Sequence, residues 1–214
     1  DENCFENNFS FNDKILNNVK VLTIHQFDSE FLNKFSGLEK VIIDCNEEIQ
    51  IKPHTLDTIG SLTQIELKAP SIIIEKSNFT NNKKLESIEF ESEIIIIKED
   101  CFNNTTKLDI LIVNSQQIQI HSECFKDSNL HTILLEGEIL IIGNKCFQNC
   151  KNLKQISMKN INYVELGKES FIGCNRLNVF DITPMKNSIN KYFKPVQYFG
   201  QSRLTYKVVE ISTN

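Results

Sequence analysis

Seven cysteines and four histidines are the side chains in this 214-residue sequence best suited to nucleophilic, redox or metal chemistry. Their spacing argues against all three. There is no Gly-x-Ser-x-Gly elbow, no His-Glu-x-x-His pair, no glycine-rich phosphate loop and no Cys-x-x-Cys. His25, His54, His121 and His131 are widely separated and fall at different phases of the pattern described below, so they would not converge as three ligands. No catalytic residue, metal site or cofactor site is predicted.

The cysteines do follow a pattern. Cys101, Cys124 and Cys146 each precede a phenylalanine, where equivalent segments carry Ser170, Asn78 or Thr55. Cys150 and Cys174 lie three residues after one, where others have Asn82, Thr105 and Ser128. Both positions therefore accept small residues, and free, half-buried thiols are expected there. A Cys150–Cys174 disulfide, or one within the 101/124/146 set, is the alternative. Because seven is odd, at least one thiol has no partner within the chain.

Those positions recur because the whole sequence recurs. An anchor followed six residues later by leucine appears as Leu32/Leu38, Leu56/Leu62, Phe79/Leu85, Phe102/Leu108, Phe147/Leu153 and Phe171/Leu177, with Phe125/Leu130 one residue shorter. The anchors advance by 24, 23, 23, 23, 22 and 24 residues. Such a period signals a repeat architecture. Each leucine opens Leu-x-x-apolar-x-apolar, as in Leu85, Ile88, Phe90 and Leu108, Leu111, Val113, and the closing alternation predicts a short strand. A second strand is predicted around Ile51, Ile74, Ile97, Ile120, Ile142 and Leu166, five residues before each anchor. The segment from anchor to leucine suits one or two helical turns and forms a third side.

One coil of this kind cannot bury its apolar edge, whereas stacked coils make a continuous core. The expected fold is therefore an α/β solenoid with two short parallel strands and a short helical turn in each coil, and right-handed crossovers. Residues 1–30 read as an N-terminal cap or irregular first coil, 31–183 as seven repeats, and 184–214 as a C-terminal cap containing a degenerate last repeat. Aromatics such as Tyr192, Phe193, Tyr198 and Tyr206 suit the capping of an open apolar end.

Projecting the first strand outward gives Lys40 and Ile42, Gln64 and Glu66, Ser87 and Glu89, Ile110 and Ile112, Thr132 and Leu134, Gln155 and Ser157, Val179 and Asp181. A merely solvated face would be polar. Ile110, Ile112 and Leu134 break that rule inside a border of Glu86, Glu89, Glu91 and Asp109, which is the composition of an interaction surface. The candidate partner-binding set is Ile42, Glu66, Glu89, Ile110, Ile112, Leu134, Ser157 and Asp181. Strand-favouring residues that only support pairing are the competing reading. On the second strand Ile73, Ile94, Ile96, Ile139 and Ile141 form a second apolar contact candidate, suited to a homodimer, an adhesive edge or a covering segment.

With segments such as "CFNNTTKL", "CFQNCKNLKQI" and "SFIGCNRLNVF", the repeat resembles the BspA-type leucine-rich repeat. That resemblance implies a non-enzymatic recognition module that binds a protein, host or matrix proteins included, through its main sheet. It also implies display at a cell surface or secretion in an adhesin-like role, with an intracellular scaffold or regulatory module as the alternative. A net charge of −5 and a pI near 5.5 exclude nucleic acid and anionic membrane as main partners. Apolar runs such as Ile94–Ile97 fall far short of the roughly 20 residues needed for direct membrane insertion. No secretory signal is visible, and since the first residue is Asp1 that decides nothing about a leader. Four Asn-x-Ser/Thr triplets, at Asn8, Asn78, Asn103 and Asn104, are about what 25 Asn and 27 Ser plus Thr produce by chance.

Overall fold

A computed structural model describes residue 16 and residues 18–57, 59–80 and 82–180. The Leu-x-x-apolar-x-apolar segments become the main parallel sheet. Its strands are β1 (Val21–Ile24), β2 (Lys40–Asp44), β4 (Gln64–Lys68), the first part of β6 (Ser87–Ile97) and of β7 (Ile110–Ile120), then β8 (Thr132–Glu136), β10 (Gln155–Lys159) and β12 (Val179–Phe180). A second parallel face runs β3 (Ile49–Ile51), β5 (Ser71–Ile74), the last part of β6 and β7, β9 (Ile139–Ile142) and β11 (Tyr163–Leu166). β6 and β7 turn the corner without a break, where the Ser92 and Ser115 hydroxyls meet at 3.1 Å. Along β4, β8 and most of β7, inward isoleucine, leucine or valine alternates with a more exposed residue, because a strand's side chains point to opposite faces in turn.

Register is set by like lying on like. Val41 pairs with Ile65, Ile65 with Ile88, Ile88 with Leu111, Leu111 with Ile133 and Ile133 with Ile156, all fully or almost fully buried. A slip of one residue would turn each of these onto the solvent face, so the buried pattern itself holds the register. The phenylalanine anchors line up in single file. Ring centroids of Phe79, Phe102, Phe125, Phe147 and Phe171 follow one another at 4.9, 5.0, 5.3 and 5.3 Å, with planes 3° to 9° apart. Spacing close to the strand repeat with parallel planes is offset stacking, which adds about 0.5–1.5 kcal/mol per pair to the burial of the rings.

The third side corrects the expectation of a helical turn in each coil. Among the described residues there is one short helix, α1 (Ser29–Leu32), in the first coil, where it leads into the anchor Leu32. Elsewhere the anchor segment forms only isolated turns, such as that closed by the Cys150 amide on the Phe147 carbonyl at 3.2 Å, and bonds from coil to coil between them. The amides of Phe102, Phe125 and Phe147 donate to the carbonyls of Cys124, Cys146 and Ser170 at 2.7–2.8 Å. Those of Asn104, Asp127 and Asn149 donate to Lys126, Gln148 and Ile172 at 2.8–2.9 Å. The reason is local backbone geometry. The four coils with anchors Phe102 to Phe171 each place two residues in the left-handed region, Asp100 and Asn104, Glu123 and Asp127, Lys145 and Asn149, then Glu169 and Gly173, with φ between 54° and 80°, whereas the coil before them uses Ser77 and the anchor Phe79 itself. A residue there ends any α-helix and rotates its amide toward the neighbouring coil. In those four coils Asn, Asp or Gly stands at the second of these positions every time, as expected of the residue types that tolerate positive φ best.

The proposed C-terminal cap, with Tyr192, Phe193, Tyr198 and Tyr206, and the first half of the proposed N-terminal cap lie outside the described residues.

Candidate functional site

The outward row of the main sheet is a true row. Ile42, Glu66, Glu89, Ile112, Leu134 and Ser157 are successive register partners across β2, β4, β6, β7, β8 and β10. Ile110 sits one row over, paired with Ser87 on one side and Thr132 on the other. Ile110, Ile112 and Leu134 are half-buried by their neighbours and keep the rest of their surface in solvent. Asp181 lies outside the described residues.

Charge surrounds this apolar centre unevenly. Toward the N-terminal end, Lys40 Nζ donates to Glu66 Oε1 at 2.5 Å, and at the corner Lys68 donates to Glu91 at 2.9 Å. That hydrogen bond to Glu91 raises the Lys68 pKa. On the other side Asp109 Oδ1 lies 2.6 Å from His131 Nδ1, and Glu136 accepts from Lys159 at 2.8 Å. Beside Ile110 the sheet opens into a groove of about 390 Å³, lined by Gln64, Glu86, Ser87, Thr106, Lys107, Asp109 and Asn129 as well as Ile110. Sequence reasoning marked Glu86 and Asp109 only as a border. It missed the groove because Thr106, Lys107 and Asn129 come from the third side, whose path was read as helical.

The second apolar candidate is divided. Ile73 pairs with Ile96 and Ser71 with Ile94, but Gln117 and Gln119 of β7 then intervene before Ile139 and Ile141. Ile94 and its neighbours therefore form one small patch, and Ile139, Ile141 and the 48% exposed Tyr163 form another.

Other groups with chemical potential serve the stack. The histidines stay apart: His25 contacts the Asp44 carbonyl, His54 Asp57, His121 Glu99 and His131 Asp109. The Glu99 carboxyl is held below its usual range by its own backbone amide and by His121. Six cysteines are free and buried, deeper than the half-buried state expected of them. Cys101 Sγ donates to the Glu75 carbonyl at 3.1 Å, Cys150 to Phe125 at 3.2 Å and Cys174 to Phe147 at 3.1 Å. Asn78 does the same for Lys52 at 2.9 Å, which explains why small donors share these positions. Each adds a second hydrogen bond to a carbonyl of the preceding coil that also accepts from another donor, as Phe125 does from the Ser128 amide and Phe147 from the Cys150 amide. Burial pushes the Cys124 and Cys146 thiols well above their ordinary value, and for Cys174 a hydrogen bond to Cys150 does so first, with burial adding to it.

Comparison with known families agrees with this geometry. The model of the BspA type leucine rich repeat region matches residues 72–197 in six copies, more than half of the chain. The chain belongs to the BspA-type leucine-rich repeat family. Neither the curated proteins nor the solved structures gave a match. Repeats of this BspA type are protein-interaction modules and are typically non-enzymatic. The coils before residue 72 continue the same register, since β2 pairs with β4 and β3 with β5 as later coils do. Among the described residues of this BspA-type chain, no helix is long and apolar enough to cross a membrane.

Proposed function

We propose that this chain is a non-enzymatic recognition module, adhesin-like and either displayed at a cell surface or secreted, that binds a protein through the outward row of its main sheet. The observation that carries the reading is the Ile110, Ile112 and Leu134 group, three aliphatic residues clustered on adjacent strands of a sheet face whose other apolar outward residues among those described, Val21 and Ile42, lie toward its N-terminal end. Three half-exposed aliphatic side chains on adjacent strands gain little by facing water and gain by being covered. The stack holds them rigidly, so a partner orders little of this surface on binding. Microbial proteins of the BspA type are often surface proteins, and that supports the compartment.

The test is binding to surface and matrix proteins by the whole chain and by the Ile112→Lys and Leu134→Glu variants. Loss of a saturable complex in both variants, with unchanged unfolding midpoints, is expected. A complex that survives both substitutions removes this face from consideration.

An intracellular scaffold is the second reading, and the free cysteines favour it, because export exposes thiols to oxidation. Alkylation and mass spectrometry of protein taken from its native cell separates the two. All thiols reduced supports the scaffold, and a disulfide supports export.

A further inference from the structure

We infer that the partner segment received by the main sheet carries Lys or Arg between apolar side chains. The inference rests on the recognition reading above and adds the chemistry of what is recognised.

Two carboxylates at the centre of the face lack a cation. Glu66 and Glu91 each have one, in Lys40 and Lys68, at 2.5 and 2.9 Å, and Asp109 Oδ1 lies 2.6 Å from the His131 ring. Glu86 and Glu89 form no ion pair or side-chain hydrogen bond with any described residue. Both sit against the apolar group. Glu89 is the register partner of Ile112, and Glu86 lines the groove beside Ile110.

Covering Ile112 removes water from Glu89 as well, because the two side chains stand on neighbouring strands about 4.8 Å apart. A carboxylate stripped of water without a counter-charge costs several kcal/mol, which exceeds what one half-buried isoleucine returns. An acidic or wholly apolar segment is therefore rejected by the same contacts that would hold it. A segment with a basic residue opposite Glu89 pairs the charge and keeps the apolar gain. The groove offers a second place for such a residue. Its volume of about 390 Å³ admits a Lys or Arg side chain between the Glu86 and Asp109 carboxylates, with Gln64 and Asn129 as further acceptors. Lys107, on the same groove, pairs with none of the described carboxylates, so two acids there face one ammonium.

The experiment uses the whole chain and two short fluorescent peptides, one alternating leucine with lysine and one alternating leucine with glutamate. Fluorescence anisotropy should show saturable binding of the lysine peptide, weakened by added salt, and none of the glutamate peptide. Glu86→Gln combined with Glu89→Gln should weaken the lysine peptide roughly three-fold to ten-fold. Ile112→Thr, which keeps β-branching and so the strand, should weaken it as well. Equal binding of the two peptides, both lost in Ile112→Thr, overturns the inference and leaves the face as a docking surface. Failure of the lysine peptide to bind, or its unchanged binding to the double glutamine variant, also overturns the inference. Lysine-peptide binding unaffected by Ile112→Thr and Ile112→Lys overturns the inference and the recognition reading together.

Discussion

The phenylalanine file and the buried thiols beside it show what single residues contribute. Phe102 stacks on Phe79 and Phe125 at 4.9 and 5.0 Å and is wholly buried, so no neighbour can close the space it leaves. Phe102→Ala should cost about 3–5 kcal/mol in urea unfolding, more than the truncation of an exposed leucine. The thiols give a pH dependence. Cys124 and Cys146 are raised well above 9.0 by burial in the folded chain, so they stay protonated where the unfolded chain's thiols ionise. Their contribution to stability is complete below about pH 9 and is lost as pH rises through the folded value. Denaturant midpoints should therefore be insensitive to these groups near neutrality and fall in alkali, and the fall should shrink in the Cys124→Ser variant. Apolar positions were legible at this scale because burial depends on residue type and phase alone. The depth of the cysteines was not, since it depends on how closely the turns of the preceding coil approach the thiols.

At the level of elements, the main-sheet strands and the second strands from Ile51 onward were readable from alternation, and the third side was not. Spacing of three and six places the anchor, the third residue and the leucine inward in a helix, and the observed turn buries the same residues. Composition held the missing signal: Asn104, Asp127, Asn149 and Gly173 all stand two after an anchor, where φ is positive. Substitution to glycine separates the two geometries by sign. Lys145, at φ 54°, should gain about 1 kcal/mol as Lys145→Gly, because strain is relieved, whereas a helical turn would lose about that much. Thermal unfolding of this one variant decides between them. The corner between the two faces is tight as well. A Cβ at Gly137 would sit 1.8 Å from the Ser115 carbonyl oxygen, so Gly137→Ala should destabilise by about 1–3 kcal/mol and loosen β8 against β7 in hydrogen exchange.

The described part of the molecule is a stack of similar coils, and the proposed docking face requires that they stack in register. Deleting one unit, residues 102–124, joins Cys101 to Phe125 and restores the repeat, so that chain should still unfold cooperatively at a lower midpoint. Deleting half a unit should abolish folding, because every inward residue beyond the cut would change face. The period was visible in sequence, and with it the stack. The groove beside Ile110 was not, since it depends on where the turns of the third side bring Thr106 and Asn129. The stacking itself can be measured directly. In a Cys4→Ser, Cys45→Ser background the remaining thiols are buried and slow to react, so spin labels go to Glu66→Cys and Ser157→Cys alone. Four strand steps separate these positions in the outward row. Pulsed dipolar EPR should give one narrow distance distribution near 19 Å, widened only by the label arms. A broad distribution, or a narrow one near half or twice that length, would contradict the register on which the core and the proposed docking face both depend.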